Sequence, residues 1–82
     1  MYLSKLNGFD CKEDSLLTIS NDNYEELEND EGLVATLIVG QNYIIIGHYV
    51  DTHSLMGSHY YEVRDENENK VKLKDTDSIH VS

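Results

Sequence analysis

The chain has 82 residues, which is room for one domain and not for two. Its formal net charge of −10 repels nucleic acid and anionic lipid and attracts a basic surface. No run of about eighteen apolar residues is present to span a membrane, and a lone cysteine, Cys11, rules out an internal disulfide or a Cys-rich zinc site.

Taken in chain order, the opening MYLSKLNGFD lacks the apolar stretch of a signal peptide, so a cytoplasmic location is expected. Met1, Tyr2, Leu3 and Leu6 read as a short strand or an irregular entry, and Gly8 with Asp10 as a turn. The stretch SLLTIS (15–20) reads as a strand. In NDNYEELENDEG, Asp22 followed by Glu25 fits a helix start: a cap oxygen takes a free amide, and the acid three residues on sits near the positive end. The spacing predicts a helix of about nine residues with Tyr24 and Leu27 on one face and Gly32 as its stop. A helix that short needs packing to persist.

The second half is β in character. In GLVATLIVGQNYIIIGHYV, β-branched and aromatic residues alternate, with Tyr43, Ile45, Gly47 and Tyr49 on one face and Ile44, Ile46, His48 and Val50 on the other. Residues 51–58 form a polar loop. YYEVR (60–64) puts Tyr61 and Val63 on one side and Tyr60, Glu62 and Arg64 on the other. DENEN (65–69) is a turn, KVKLK (70–74) buries Val71 and Leu73, and the two strands make a hairpin. DTDS (75–78) turns again and IHV (79–81) closes the chain. An open edge at IHVS permits pairing between copies, so a monomer or a homodimer is expected.

The order of LIVGQNYIIIG, a long polar loop, YYEVRDENENKVKLK and then DTDSIHV resembles the small SH3-like barrels of Gram-positive bacteria and their phages. The resemblance covers residues 37–82. It implies a mainly β (α+β) fold: an SH3-like antiparallel barrel over 37–82, preceded by an acidic N-terminal extension, residues 1–36, with the short helix. Such domains use an aromatic groove to hold peptides, which places Tyr49, Tyr60 and Tyr61 as groove residues, although the chain has no Trp.

Few constellations carry chemistry. His48, His53 and His59, with Asp51 between them, have ligand chemistry for zinc but match no established metal motif, and surface histidines flanking a loop are expected. The acid-rich 21–32 stretch lacks the order of a calcium loop. Cys11 between Asp10 and Glu13 is a poor thiolate. Neighbouring carboxylates on one acidic segment lack the environmental contrast that acid–base catalysis needs. No glycine loop leads into a phosphate-binding helix. No cofactor, no metal and no catalytic residue is assigned, and the chain is expected not to be an enzyme.

Charge is the sharpest feature. Residues 10–31 hold nine carboxylates and one base, a local charge of −8. On a helix, the six acids of 22–31 would run about 15 Å, roughly one charge per 2.5 Å, against about one per 1.7 Å for duplex DNA. Small acidic phage proteins that block nucleases or restriction systems are similar in size and charge. The implied function is non-enzymatic: inhibition of a DNA- or RNA-binding defence protein by mimicry of nucleic-acid charge, in the manner of anti-restriction or anti-CRISPR proteins. The expected contacts are Asp22, Tyr24, Glu25, Glu26, Glu28, Asp30 and Glu31, with Asp65, Glu66 and Glu68 as a second patch. The expected partner is the basic surface of a nucleic-acid-binding protein, with no direct nucleic acid and no membrane. The alternative is an adaptor that takes a peptide in the Tyr-lined groove.

Overall fold

In a computed structural model, residues 3–27, 34–53, 55 and 57–82 are described. The period-two stretches become seven short strands: β1 (Leu3–Lys5), β2 (Leu16–Ile19), β3 (Asn42–Ile44), β4 (Gly47–Asp51), β5 (His59–Arg64), β6 (Lys70–Lys74) and β7 (Ile79–Val81). All pairings are antiparallel. One sheet has the order β1-β4-β5-β6 and the other β3-β2-β7. Their facing sides share a core of Leu17, Ile19, Ala35, Tyr43, Ile45, Tyr61, Val63, Val71, Leu73 and Ile79.

This arrangement corrects the expected fold class. The two sheets do not close into a barrel, and no helix occurs among the described residues. The acidic segment fails as a helix for local and tertiary reasons. The Asn21 side chain accepts the Asn23 amide in a tight turn, an alternative that Asn offers the backbone in place of helix. The next residues lie along the edge of β6. Lys74 N–H donates to the Glu25 carbonyl, Leu27 N–H donates to the Lys72 carbonyl, and Glu26 bridges Leu73. Here the open edge of β6 supplies bonds that a nine-residue helix would have to make unaided. The predicted helix beyond Leu27 lies outside the described residues.

The N-terminal third is also no appendage to a core confined to 37–82. It supplies β1 and the middle strand of the second sheet, and Leu17 and Ile19 of that strand are fully buried.

The stretch 42–51 does not keep one alternation throughout. It breaks at Ile45–Ile46, where the chain leaves β3 in one sheet and enters β4 in the other. Tyr43 and Ile45 point into the core. Past the break the even positions turn inward: His48 lies opposite Tyr61 and Val50 opposite His59, while Tyr49 lies opposite Tyr60 on the outer side. Gly47 sits at the switch because the Tyr49 ring covers it. A Cβ there would stand 2.9 Å from Tyr49 Cε2, closer than side chains pack.

The DENEN turn forms as expected. Glu68 N–H donates to the Asp65 carbonyl, and Glu68 adopts φ +63°, the left-handed residue that follows a type I turn in a three-residue hairpin.

Candidate functional site

Because β-strands send alternate side chains to opposite faces, the outer face of the four-stranded sheet is defined by register. It carries Lys5, Tyr49, Asp51, Tyr60, Glu62, Arg64, Lys70, Lys72 and Lys74. Five of the six basic residues therefore share one face. Lys5, Lys72 and Lys74 are neutralised by Glu13 at 3.9 Å, Glu62 at 3.0 Å and Glu25 at 3.6 Å. The Lys72 ammonium also lies 5.2 Å from the Tyr49 ring centre.

Carboxylates occupy the connections instead. Asp10, Glu13, Asp14, Asp22, Glu25, Glu66, Glu68, Asp75 and Asp77 are all exposed. Among the described residues only Glu13 and Glu25 of these nine are in ion pairs. Backbone pairing brings two connections together: Ser20 N–H donates to the Ser78 carbonyl and Lys74 N–H to the Glu25 carbonyl, both at 2.8 Å. Asp22 and Glu25 thus share one end of the molecule with Asp75 and Asp77. The latter two were missed in sequence because DTDS reads only as a turn. No local pattern announces that it closes against residues 20–25.

The other predicted contacts are divided. Tyr24 is half-buried against the core. Glu26 turns inward, its Oε2 accepting the Ala35 amide at 3.2 Å. Asp65 is buried and accepts three amides, from Thr36, Asn67 and Asn69, so its carboxylate holds the hairpin and the 34–38 strand connection together. Glu66 accepts the Tyr43 hydroxyl at 2.9 Å and Glu68 is exposed. These two sit at the far end of β6 from Asp75, about 16 Å away at 3.3 Å per residue. Glu28, Asp30 and Glu31 lie outside the described residues.

The tyrosines do not line one groove. Tyr49 and Tyr60 stand side by side on the outer face, but Tyr61 leaves the opposite side of β5 and lies in the core. Burial and the nearby Asp75 carboxylate push the Tyr61 hydroxyl up to about 12.

His48 is not at the surface either; it is 2% exposed on the inner face. Its Nδ1 accepts the Lys12 amide at 3.1 Å, which leaves Nε2 protonated to donate to His59 Nδ1 at 2.8 Å. Both rings are therefore neutral in this arrangement. Two nitrogens on one tetrahedral zinc stand about 3.3 Å apart, from bonds of about 2.0–2.1 Å. The observed pair is closer, as a hydrogen bond requires. Among the described residues no three His, Cys, Asp or Glu side chains gather as a metal group.

Burial lowers the His48 pKa, as does charge on His59. The Asp75 carboxylate pulls the other way, and the Lys12 ammonium lowers it further. The unfolded chain therefore takes up a proton near the ordinary value of about 6.5 that the folded chain refuses. Stability is expected to fall as pH drops below about 6.5 towards the lower folded value. In His48→Asn, the side-chain oxygen replaces Nδ1 as acceptor for Lys12 without the titration. Urea midpoints measured between pH 7 and 5 should vary less in this variant, and an equal slope in both proteins would show that other groups govern it.

No helix among the described residues is long and apolar enough to cross a membrane. No family model, curated protein or solved structure matches the chain.

Proposed function

We propose that this chain is a non-enzymatic, protein-binding domain that acts in the cytoplasm through its carboxylates on the basic surface of a nucleic-acid-binding protein, as phage inhibitors of defence enzymes do. The observation that supports this reading is the segregation of charge. Seven exposed carboxylates have no ion-pair partner among the described residues, while three bases are already neutralised from within. Carboxylates so placed are free to form charge-assisted bonds with arginine and lysine. The grip centres on Asp22, Asp75 and Asp77, joined by Glu25, whose exposed pair with Lys74 a partner's arginine would have to displace, with Glu66 and Glu68 as a second patch. Spacing between the two ends, rather than a helical ladder, would match separated phosphate sites.

The test is a quadruple variant, Asp22→Asn, Glu25→Gln, Asp75→Asn and Asp77→Asn. Since like-charge repulsion opposes folding at −10, the variant should be at least as stable as the parent in urea. Proteins captured from a bacterial extract by the parent should be released by added duplex DNA or by raised salt, and the variant should capture them at least ten times less well. Capture that survives all four substitutions and resists duplex DNA would sink the reading.

A further inference from the structure

The edge of β3 is open, and the molecule leaves a cation beside it. Ser15, Leu17, Ile19 and their partners fix the bonding phase: Ile45 N–H donates to Ser15 and Ile19 N–H to Gln41. In an antiparallel ladder this alternation turns the amides and carbonyls of Asn42 and Ile44 away from β2. β3 is the terminal strand of its sheet, and neither residue has another backbone partner among the described residues. A groove of about 480 Å³ runs along this edge, lined by Asn42, Tyr43, Ile44, Ile46 and Arg64. Ile44 is 59% exposed. Its cross-strand neighbour Leu16 is also exposed, so the apolar strip continues onto the outer face of β2.

Among the described residues, Arg64 is the only charged one lining the groove. Directly opposite it in the sheet stands Lys70, an arrangement of like charges that destabilises a strand pair. Both are exposed, and neither has a carboxylate within ion-pair distance among the described residues, unlike Lys5, Lys72 and Lys74. In a chain with 16 carboxylates and six bases, an uncompensated Arg–Lys pair beside an open strand edge marks a place for a foreign carboxylate.

We propose that β3 is a docking edge for an extended peptide segment of a partner protein, added as a fourth strand, with aliphatic side chains against Ile44 and Ile46 and one acidic side chain paired with Arg64. Main-chain bonds to Asn42 and Ile44 give the affinity, and the guanidinium selects the carboxylate, as in other strand-addition complexes. The segment carries one acid and not several, because the chain as a whole repels anions. The docking edge uses none of the four carboxylates on which the proposed grip centres; Glu66 of the second patch meets the groove only through the Tyr43 hydroxyl.

The probe is a seven-residue peptide, Lys-Val-Thr-Glu-Val-Thr-Lys, acetylated and amidated at its ends, titrated into the isotopically labelled full chain. The expected result is chemical-shift change concentrated at the amides of Asn42, Ile44 and Ile46. Arg64→Gln should weaken binding about three- to fivefold, the scale of an exposed ion pair. The same peptide with Lys in place of Glu should bind more weakly to the parent than the Glu peptide does, and a version N-methylated on its pairing edge should give no shifts. Shifts elsewhere, or equal affinity for Glu and Lys peptides, would overturn the proposal. So would concentration-dependent shifts of Asn42 and Ile44 in the chain alone, which would assign the edge to a second copy.

Discussion

Asp65→Ala is expected to cost about 2–4 kcal/mol, measured as a shift in the urea midpoint at pH 7 with unchanged slope. One side chain terminates three backbone amides: its Oδ1 accepts those of Asn67 and Asn69, both at 2.9 Å, and its Oδ2 accepts that of Thr36 at 3.0 Å. Charge-assisted bonds contribute about 1.5–3 kcal/mol each, and the total is discounted because solvent reaches the turn once the side chain is gone. For a domain of this size, total stability is of the order of 4–12 kcal/mol. Burial alone would raise the pKa of this carboxyl, but the amides of Thr36, Asn69 and Asn67, with the Asn69 side chain, outweigh it and hold the group below the usual carboxylate range. The sign follows. The contribution is complete above the unfolded value of about 4 and is lost as pH falls through the lower folded value. Asp65→Asn separates the parts. It keeps an oxygen for Asn67 and Asn69 but turns an amide donor towards Thr36, so its cost should lie between that of alanine and zero. A change under about 0.5 kcal/mol for Asp65→Ala would mean that the hairpin is not anchored through this side chain.

Ile45→Ala is expected to cost about 2–5 kcal/mol, enough to leave the domain partly unfolded, whereas Ile44→Ala should stay within about 0.5 kcal/mol. The two residues are adjacent and chemically identical. Ile45 is fully buried where the chain passes from one sheet to the other, and its amide and carbonyl bond to Ser15 and Asp14. Ile44 faces out. Ile45→Val should cost only about 0.5–1.5 kcal/mol, which separates lost volume from lost backbone geometry. Equal costs at 44 and 45 would contradict the register of β2 with β3.

Much of the strand content was legible because period-two alternation is a local property. Tyr61 and Val63 on one side of β5, Val71 and Leu73 on one side of β6, and the DENEN turn between them can be read from spacing alone. The break at 45–46 was not legible. An unbroken run of apolar residues satisfies either phase, and only the second sheet decides where the inward set changes from Tyr43 and Ile45 to His48 and Val50. The acidic segment misled for a related reason. Asp22 and Glu25 carry a true helix-start pattern, but the exposed edge of β6 offered Glu25 and Leu27 better backbone partners than a single isolated helix turn.

The candidate surface divides in the same way. Charge is countable in a sequence, so an acidic protein with a basic partner could be argued from residues alone. Their placement could not. Asp65 looked like one more surface acid and is a buried structural group, Glu26 faces inward, and Asp75 and Asp77 join Asp22 and Glu25 only through the pairing of distant strands. By itself the chain of residues determined the alternation of β5 and β6, the turn between them and how much charge the protein would carry, since these depend on neighbours along the backbone. Tertiary structure alone decided which carboxylates reach solvent, which histidine is buried and which strand edge is left open, because burial and edge position depend on what packs from far away in sequence.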